Sequence, residues 1–300
     1  MRKIYIVIAL MLALVLMLAA CGSDTGGDGT LLGEIEARGY LLVSTDPNYE
    51  PMSFLDPDAV RDPDTICAAD HLTYGEMIGF DVDVAKEIAD GLGVEICFVT
   101  PDWDLLTAGS WADRWDISVG SMMFTSNRQL VLDFVTPYYY SPAQFAAAAD
   151  AGITSHSDLD GQAICVATAT TYEDWLNGSD LGLPPESFYA EVPSDFEIVT
   201  LPTDQECAQS IAAGRPEFSI YLTSGTVIDS NIADGLDVIK VGSPVFSENL
   251  SPAVDKSSSF DTATFLTAVD DIVKELHSTG KMSSLSLEWF GMDITKDPSK

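Results

Sequence analysis

Arg128 closes the turn-forming run Thr125-Ser126-Asn127-Arg128, in a chain with 14 basic residues against 47 acidic ones. A guanidinium presents a planar fork of donors that grips a carboxylate through two parallel, charge-assisted hydrogen bonds. At a formal net charge of −33, such a cation is a local exception to a field that repels anions, nucleic acid and acidic lipid surfaces alike. Thr170 and Thr171 follow the apolar run Gln162–Ala167; two threonines there can cap a helix, or mark a helix start whose N–H groups receive an anion. Tyr49 and Trp103 supply flat rings that pack in a core or stack on a planar or cationic group. Asp46 precedes Pro47, a pair that also makes ordinary turns. Nucleophilic catalysis finds little support, because His71, His156 and His277 are scattered and suggest no Ser-His-acid triad; Asp46 and Glu173 remain able to act as acid or base. Cys67, Cys97, Cys165 and Cys207 are too far apart for a zinc site. The Asp-rich stretch 56–70 lacks the pattern of an EF-hand and reads as a solvated insertion. No metal and no cofactor is expected.

The elements that must position these groups begin after a leader. Arg2 and Lys3 precede an unbroken apolar or aromatic run, Ile4 to Ala20, that stops at Cys21. A charged start, a short apolar core and small residues before the break describe an export signal over 1–20, and the run is short for a membrane-spanning helix. Residues 21–30, rich in Gly, Ser, Asp and Thr, have nothing to bury and form a flexible tether. The remainder works outside the cytoplasmic membrane, where disulfides persist; four cysteines allow three pairings. Strand-like runs at 40–45, 94–100, 117–121, 162–167, 197–201, 218–222 and 238–241 alternate with helical patterns, which argues for an α/β architecture. Phe80, Val84 and Ile88 make one helix stripe, with Asp81 as its cap, and Phe265, Val269, Ile272 and Leu276 make another, ended by Gly280. Pro137 to Pro142, with three tyrosines between, is a candidate lobe boundary.

Four segments in order carry a resemblance. They are Ser44–Pro51, the run Ile78-Gly79-Phe80-Asp81-Val82-Asp83-Val84-Ala85, the stretch from Trp115-Asp116-Ile117 through Arg128 to Tyr139, and Ser284–Gly291. The chain resembles the extracellular solute-binding proteins, family 3, of polar amino acid ABC transporters. Leu18-Ala19-Ala20-Cys21 is similar to a bacterial lipoprotein signal, whose cysteine is lipidated and anchors the protein to the cell membrane. The resemblance implies a two-lobed periplasmic-binding-protein-like fold of type II, with two crossover strands between the lobes. Lobe 1 would span 31–139 with 250–300 returning to it, and lobe 2 would span 143–246. It further implies disulfides 67–97 and 165–207, each inside one lobe, leaving the cleft free to open.

The implied function is capture of a small carboxylate-bearing solute in the cleft, with delivery to an ABC permease by a membrane-tethered monomer. Transferred residue by residue, Arg128 would hold the ligand carboxylate, Thr170 and Thr171 would clamp it from lobe 2, Tyr49 and Trp103 would be aromatic walls, and Asp46 a ligand-side acid. Ser121 would open the ligand turn. Two positions depart from the family pattern: Met123 stands where a hydroxyl is usual, and Leu222 where an aspartate usually meets the ligand's ammonium. An unpaired buried ammonium is costly, so the ligand is expected to lack an α-amino group or to be held differently. The alternatives are an enzyme on the same fold, dehydratase-like and acting on a carboxylated ring, and a sensor presenting ligand to a membrane receptor.

Overall fold

The computed structural model describes residues 28–215 and 217–298. The export signal 1–20, Cys21 and the tether up to residue 27 lie outside the described residues. In chain order the first elements are α1 (Leu31–Arg38), β1 (Tyr40–Ser44), β2 (Asn48–Tyr49), β3 (Ser53–Leu55), β4 (Leu72–Thr73), β5 (Met77–Ile78), α2 (Phe80–Leu92), β6 (Glu95–Val99), α3 (Trp103–Thr107), β7 (Ile117–Ser118) and β8 (Leu132–Phe134). There follow β9 (Tyr139–Ala148), β10 (Ala163–Ala167), α4 (Thr171–Leu176), β11 (Glu197–Leu201), α5 (Asp204–Ala212), β12 (Ile220–Ser224), α6 (Gly225–Ala233), β13 (Val238–Leu250), β14 (Ala253–Asp255), α7 (Ala263–Thr279) and α8 (Lys281–Phe290).

Two mixed sheets give two lobes. The first has the strand order β4-β6-β1-β7-β14-β8 and the second β11-β10-β12-β9-β13, with a small third sheet β2-β3-β5. Strands β1, β6 and β7 run parallel in the first, as do β10, β11 and β12 in the second. Parallel strands covered on both faces need continuous apolar runs. Leu41-Leu42-Val43 and Ile164-Cys165-Val166 supply them, and all six side chains are buried. The long strands β9 and β13 pair antiparallel from Val238↔Ala148 to Leu250↔Tyr139, with a break in register between Val241 and Phe246. They carry the chain out of the second sheet toward the first, where Met123 bridges Leu250. After β14 the chain stays with the first sheet, since α7 and α8 pack on α2.

The cysteines pair as 67–97 and 165–207, with Cα separations of 5.6 and 5.8 Å. One bond ties the 56–70 loop to β6, the other ties β10 to α5, and neither crosses between the sheets. Arg61 fastens the same loop by donating to the carbonyls of Cys67, Ala68 and His71 and pairing with Glu76, so this insertion is a held structure. Two local expectations are corrected. Asp81 does not cap α2: the cap residue is Gly79, where a Cβ would sit 2.1 Å from the Met52 carbonyl oxygen. Asp81 is instead fully buried in the first turn and accepts from Ser121 Oγ and Tyr138 OH, each at 2.7 Å. Thr30, the last residue of the expected tether, caps α1 through Gly33 N–H and bridges Asp261, because the helix needs an acceptor for its free N–H groups.

Candidate functional site

The carboxyl ends of the parallel strands in both sheets open toward one another, the place where α/β sheets commonly bind ligands. Asp46 follows β1, Trp103 follows β6, and Gly120 and Ser121 follow β7. From the second sheet come Ala167 at the end of β10, Thr170 to Tyr172 at the start of α4, and Pro202 to Asp204, which lead from β11 into the first residue of α5. Together with Met123, Arg128, Tyr49 and Glu248 of β13 they line one pocket between the lobes.

Arg128 sits in a short 3-10 turn, buried to 6% exposure. Its guanidinium donates to the carbonyls of Met123 and Ala169, each at 2.9 Å, and lies 5.6 Å from the Trp103 ring centre. No described carboxylate is within ion-pair distance of it. Five N–H donors belong to a guanidinium, so donors remain for an incoming anion. Burial lowers its pKa to about 10, against the opposing pull of Asp174 and Glu248, and it therefore stays charged at neutral pH.

The opposite sign is more abundant. Asp204, the first residue of α5, is 6% exposed, lines the pocket, and its Oδ1 has no hydrogen-bond partner. Burial, reinforced by the neighbouring charges of Asp46 and Glu248, pushes its pKa up to about 8, against a smaller downward pull from the nearby Thr223 hydroxyl and Ala167 N–H. Glu248 is also buried and raised by desolvation; Thr171 Oγ1 and Tyr172 OH donate to its two oxygens at 2.7 Å each, and Arg128 adds an opposing pull. Asp46 accepts from Asn48 N–H at 2.8 Å and is likewise raised by burial. Behind the pocket wall the Asp81 carboxyl, pushed up to about 7 by its burial, anchors Ser121 and Tyr138. Tyr138 OH in turn accepts from Ser121 N–H at 2.8 Å.

Six described non-glycine residues hold backbone conformations that side chains disfavour, and two of them stand at the site. Ser121 has φ 55° and Ala169 has φ 61°, in the left-handed region that costs a non-glycine residue on the order of 1 kcal/mol. Ser121 lines the pocket, and Ala169 precedes the lining residue Thr170. The Ala169 carbonyl accepts from Arg128 and from Trp103 Nε1, at 2.9 and 3.2 Å, which joins the first lobe to the second. Tyr49 OH and Tyr172 OH, 3.4 Å apart, make a second link. The lobes are closed over the pocket.

Of the residues singled out in the sequence, Asp46, Tyr49, Trp103, Ser121, Met123, Arg128, Thr170 and Thr171 all reach this pocket. Leu222 does not. Its side chain is fully buried in the core, because alternation along β12 turns it away from the cleft. Three carboxylates line the pocket instead: Asp204 of α5, Glu248 of β13 and Asp46 after β1. The threonines behave as bonded structure: Thr170 caps α4 and donates to the Ala167 carbonyl, while Thr171 is held by Glu248. Asp204, Glu248 and Tyr172 escaped sequence reading. The run Thr203-Asp204-Gln205-Glu206 did show a helix start, but nothing local marked it as facing the cleft.

Comparison with known proteins agrees with this geometry. Residues 67–292 match the model of the bacterial extracellular solute-binding proteins, family 3. The L-cystine-binding protein TcyJ of Escherichia coli is 27% identical over 284 residues, 94% of each chain. The L-cystine-binding protein TcyA of Bacillus subtilis is 25% identical over 296 residues, 93% of this chain and 94% of that one. Among solved structures, the ancestral amino acid-binding protein AncCDT-1, a precursor of cyclohexadienyl dehydratase, superposes with TM-score 0.69 at 27% identity, covering 87% of this chain and 100% of that chain. With two lobes, a cleft at their strand ends and a family match over most of its length, this chain belongs to the bacterial extracellular solute-binding proteins, family 3.

Proposed function

We propose that the protein is the extracytoplasmic binding component of an ABC importer and that its ligand is an α-amino acid, enclosed between the lobes. The ligand carboxylate meets Arg128 and its α-ammonium meets Asp204. One observation carries this reading: a buried guanidinium without a carboxylate partner shares an inter-lobe pocket with a buried aspartate whose Oδ1 is unpartnered. Each alone is a desolvated group with incomplete compensation; a zwitterion completes both. The amino-acid-binding relatives support the same class of ligand.

The lobe limits 31–139 with 250–300, and 143–246, belong to this proposal, as do lipidation at Cys21, anchoring to the membrane, and action as a monomer. So does the absence of catalysis. The three histidines lie outside the pocket lining, and His156 and His277 are bonded to the carbonyls of Ser243 and Pro137. Relatives of this chain are binding proteins, although one structural neighbour is a dehydratase precursor.

Calorimetry and thermal shift with the twenty amino acids test the reading. At least one should bind and raise Tm, since a ligand that selects the native state stabilises it. Arg128→Ala should then weaken that binding by about 2–5 kcal/mol, because it strands a buried carboxylate. Affinity unchanged in the variant, or conversion of a bound acid to product, would refute the assignment.

A further inference from the structure

Resting on the amino-acid reading above, we propose that Asp81 is a positioning residue for binding: its carboxylate holds Ser121 in the strained conformation that shapes the ligand turn. Asp81 is fully buried at the start of α2 and is not among the residues lining the pocket. Ser121, at φ 55°, does line it. From Ser121 the chain runs on to Met123, whose carbonyl accepts from the Arg128 guanidinium at 2.9 Å. A shift at Ser121 therefore reaches the cation that meets the ligand carboxylate.

Two relays of hydrogen bonds converge on Asp81. Ser121 N–H donates to Tyr138 OH at 2.8 Å, and Tyr138 OH donates to Asp81 Oδ1 at 2.7 Å. Tyr139 OH donates to Ser121 Oγ at 2.7 Å, and Ser121 Oγ donates to Asp81 Oδ2 at 2.7 Å. A hydroxyl has one proton, so each relay runs one way and must end on an acceptor. An ionised carboxylate accepts on both sides and brings no proton of its own. An amide in its place would aim N–H groups at Ser121 Oγ or at Tyr138 OH. That hydroxyl already accepts one bond, and its own proton would lose its acceptor. A buried polar group left unpaired is costly, and relaxation of the turn would relieve both that cost and the strain at Ser121. No described Lys, Arg or His forms an ion pair with Asp81, and burial raises its pKa to about 7 despite the two hydroxyls. The carboxylate is thus kept in the interior for the hydroxyls that it orders.

The test is a double-mutant cycle at pH 8.5, where Asp81 is ionised, with Asp81→Asn, Ser121→Gly and the pair. One readout is hydrogen exchange of the Ser121 N–H in the ligand-free protein. The other is calorimetry with L-cystine, L-arginine and L-glutamine as probes, the tightest of which is carried through. Asp81→Asn should speed the exchange about tenfold and weaken binding about tenfold, the scale of one left-handed non-glycine residue. Glycine adopts a positive φ without strain, so in a Ser121→Gly background the same change should alter affinity less than about twofold. Tyr138→Phe removes the acceptor of the Ser121 N–H and should reproduce both effects, which keeps the test open if Asp81→Asn does not fold. An equal affinity loss with and without Ser121→Gly overturns the inference. So does a lowered Tm with exchange and affinity unchanged, which would make Asp81 a core residue alone. Failure of all three probes to bind counts against the amino-acid reading; the exchange rate then decides on Asp81, and an unchanged rate overturns its role.

Discussion

At the scale of single residues the site is governed by desolvation. Asp204 titrates near 8 instead of 3.8, first because it is buried and second because Asp46 and Glu248 face it. The sign follows from proton counting. Between those two pH values the folded protein holds a proton that the unfolded chain has released, so stability falls as pH rises through that window and is lowest above it. Asp81, raised to about 7, adds to the same trend. Asp204→Asn should therefore make the ligand-free Tm fall less steeply between about pH 5 and 8, with the variant's gain largest at the alkaline end and part of the slope retained through Asp81. Melting curves for wild type and variant that run parallel over that range would show that Asp204 is an ordinary ionised surface acid.

At the scale of elements, helix starts deliver functional groups to the cleft. Thr203 caps α5 by accepting from Glu206 N–H at 3.1 Å, and the next residue is Asp204. Thr203→Ala should cost about 1 kcal/mol of stability and also weaken amino-acid binding, because the first turn that orients Asp204 frays. A denaturant titration and a binding isotherm on the same sample separate the two effects; lost stability with unchanged affinity would mean that α5 is held by its packing and the 165–207 bond alone. The strained carbonyl of Ala169 works in the same manner in the loop before α4, offering one acceptor to both Arg128 and Trp103.

At the scale of the whole molecule, closure and covalent stapling are separable. Both disulfides lie within a sheet and its own helices or loops, and neither cysteine pair lines the pocket. Replacing Cys165 and Cys207 together by alanine should cost about 2–5 kcal/mol in unfolding free energy while affinity stays within a few-fold. A large affinity loss would place the bond in the binding machinery. The inter-lobe links through Tyr49–Tyr172 and Ala169 are few, so removal of ligand should let the lobes swing apart about β9 and β13. Small-angle scattering should show a larger radius of gyration without ligand than with it, and superimposable profiles would contradict a hinge.

What the chain's letters settled alone was local or pairwise in nature. Apolar runs such as Leu41–Val43 and Ile164–Val166 named the central strands, the 3.6-residue stripes of α2 and α7 named the main helices, and Arg128 stood out by its sign against the acidic background. The ordered motifs carried the family and, through it, most of the pocket. Tertiary structure decided which acids face that arginine. Leu222 is turned inward by strand alternation, while Asp204, Glu248 and Asp46 arrive from three separate elements. Their convergence depends on how two sheets lean together, and no spacing along one strand or helix encodes that angle. Pocket charge is a sum over residues far apart in sequence; it exists only once the lobes meet.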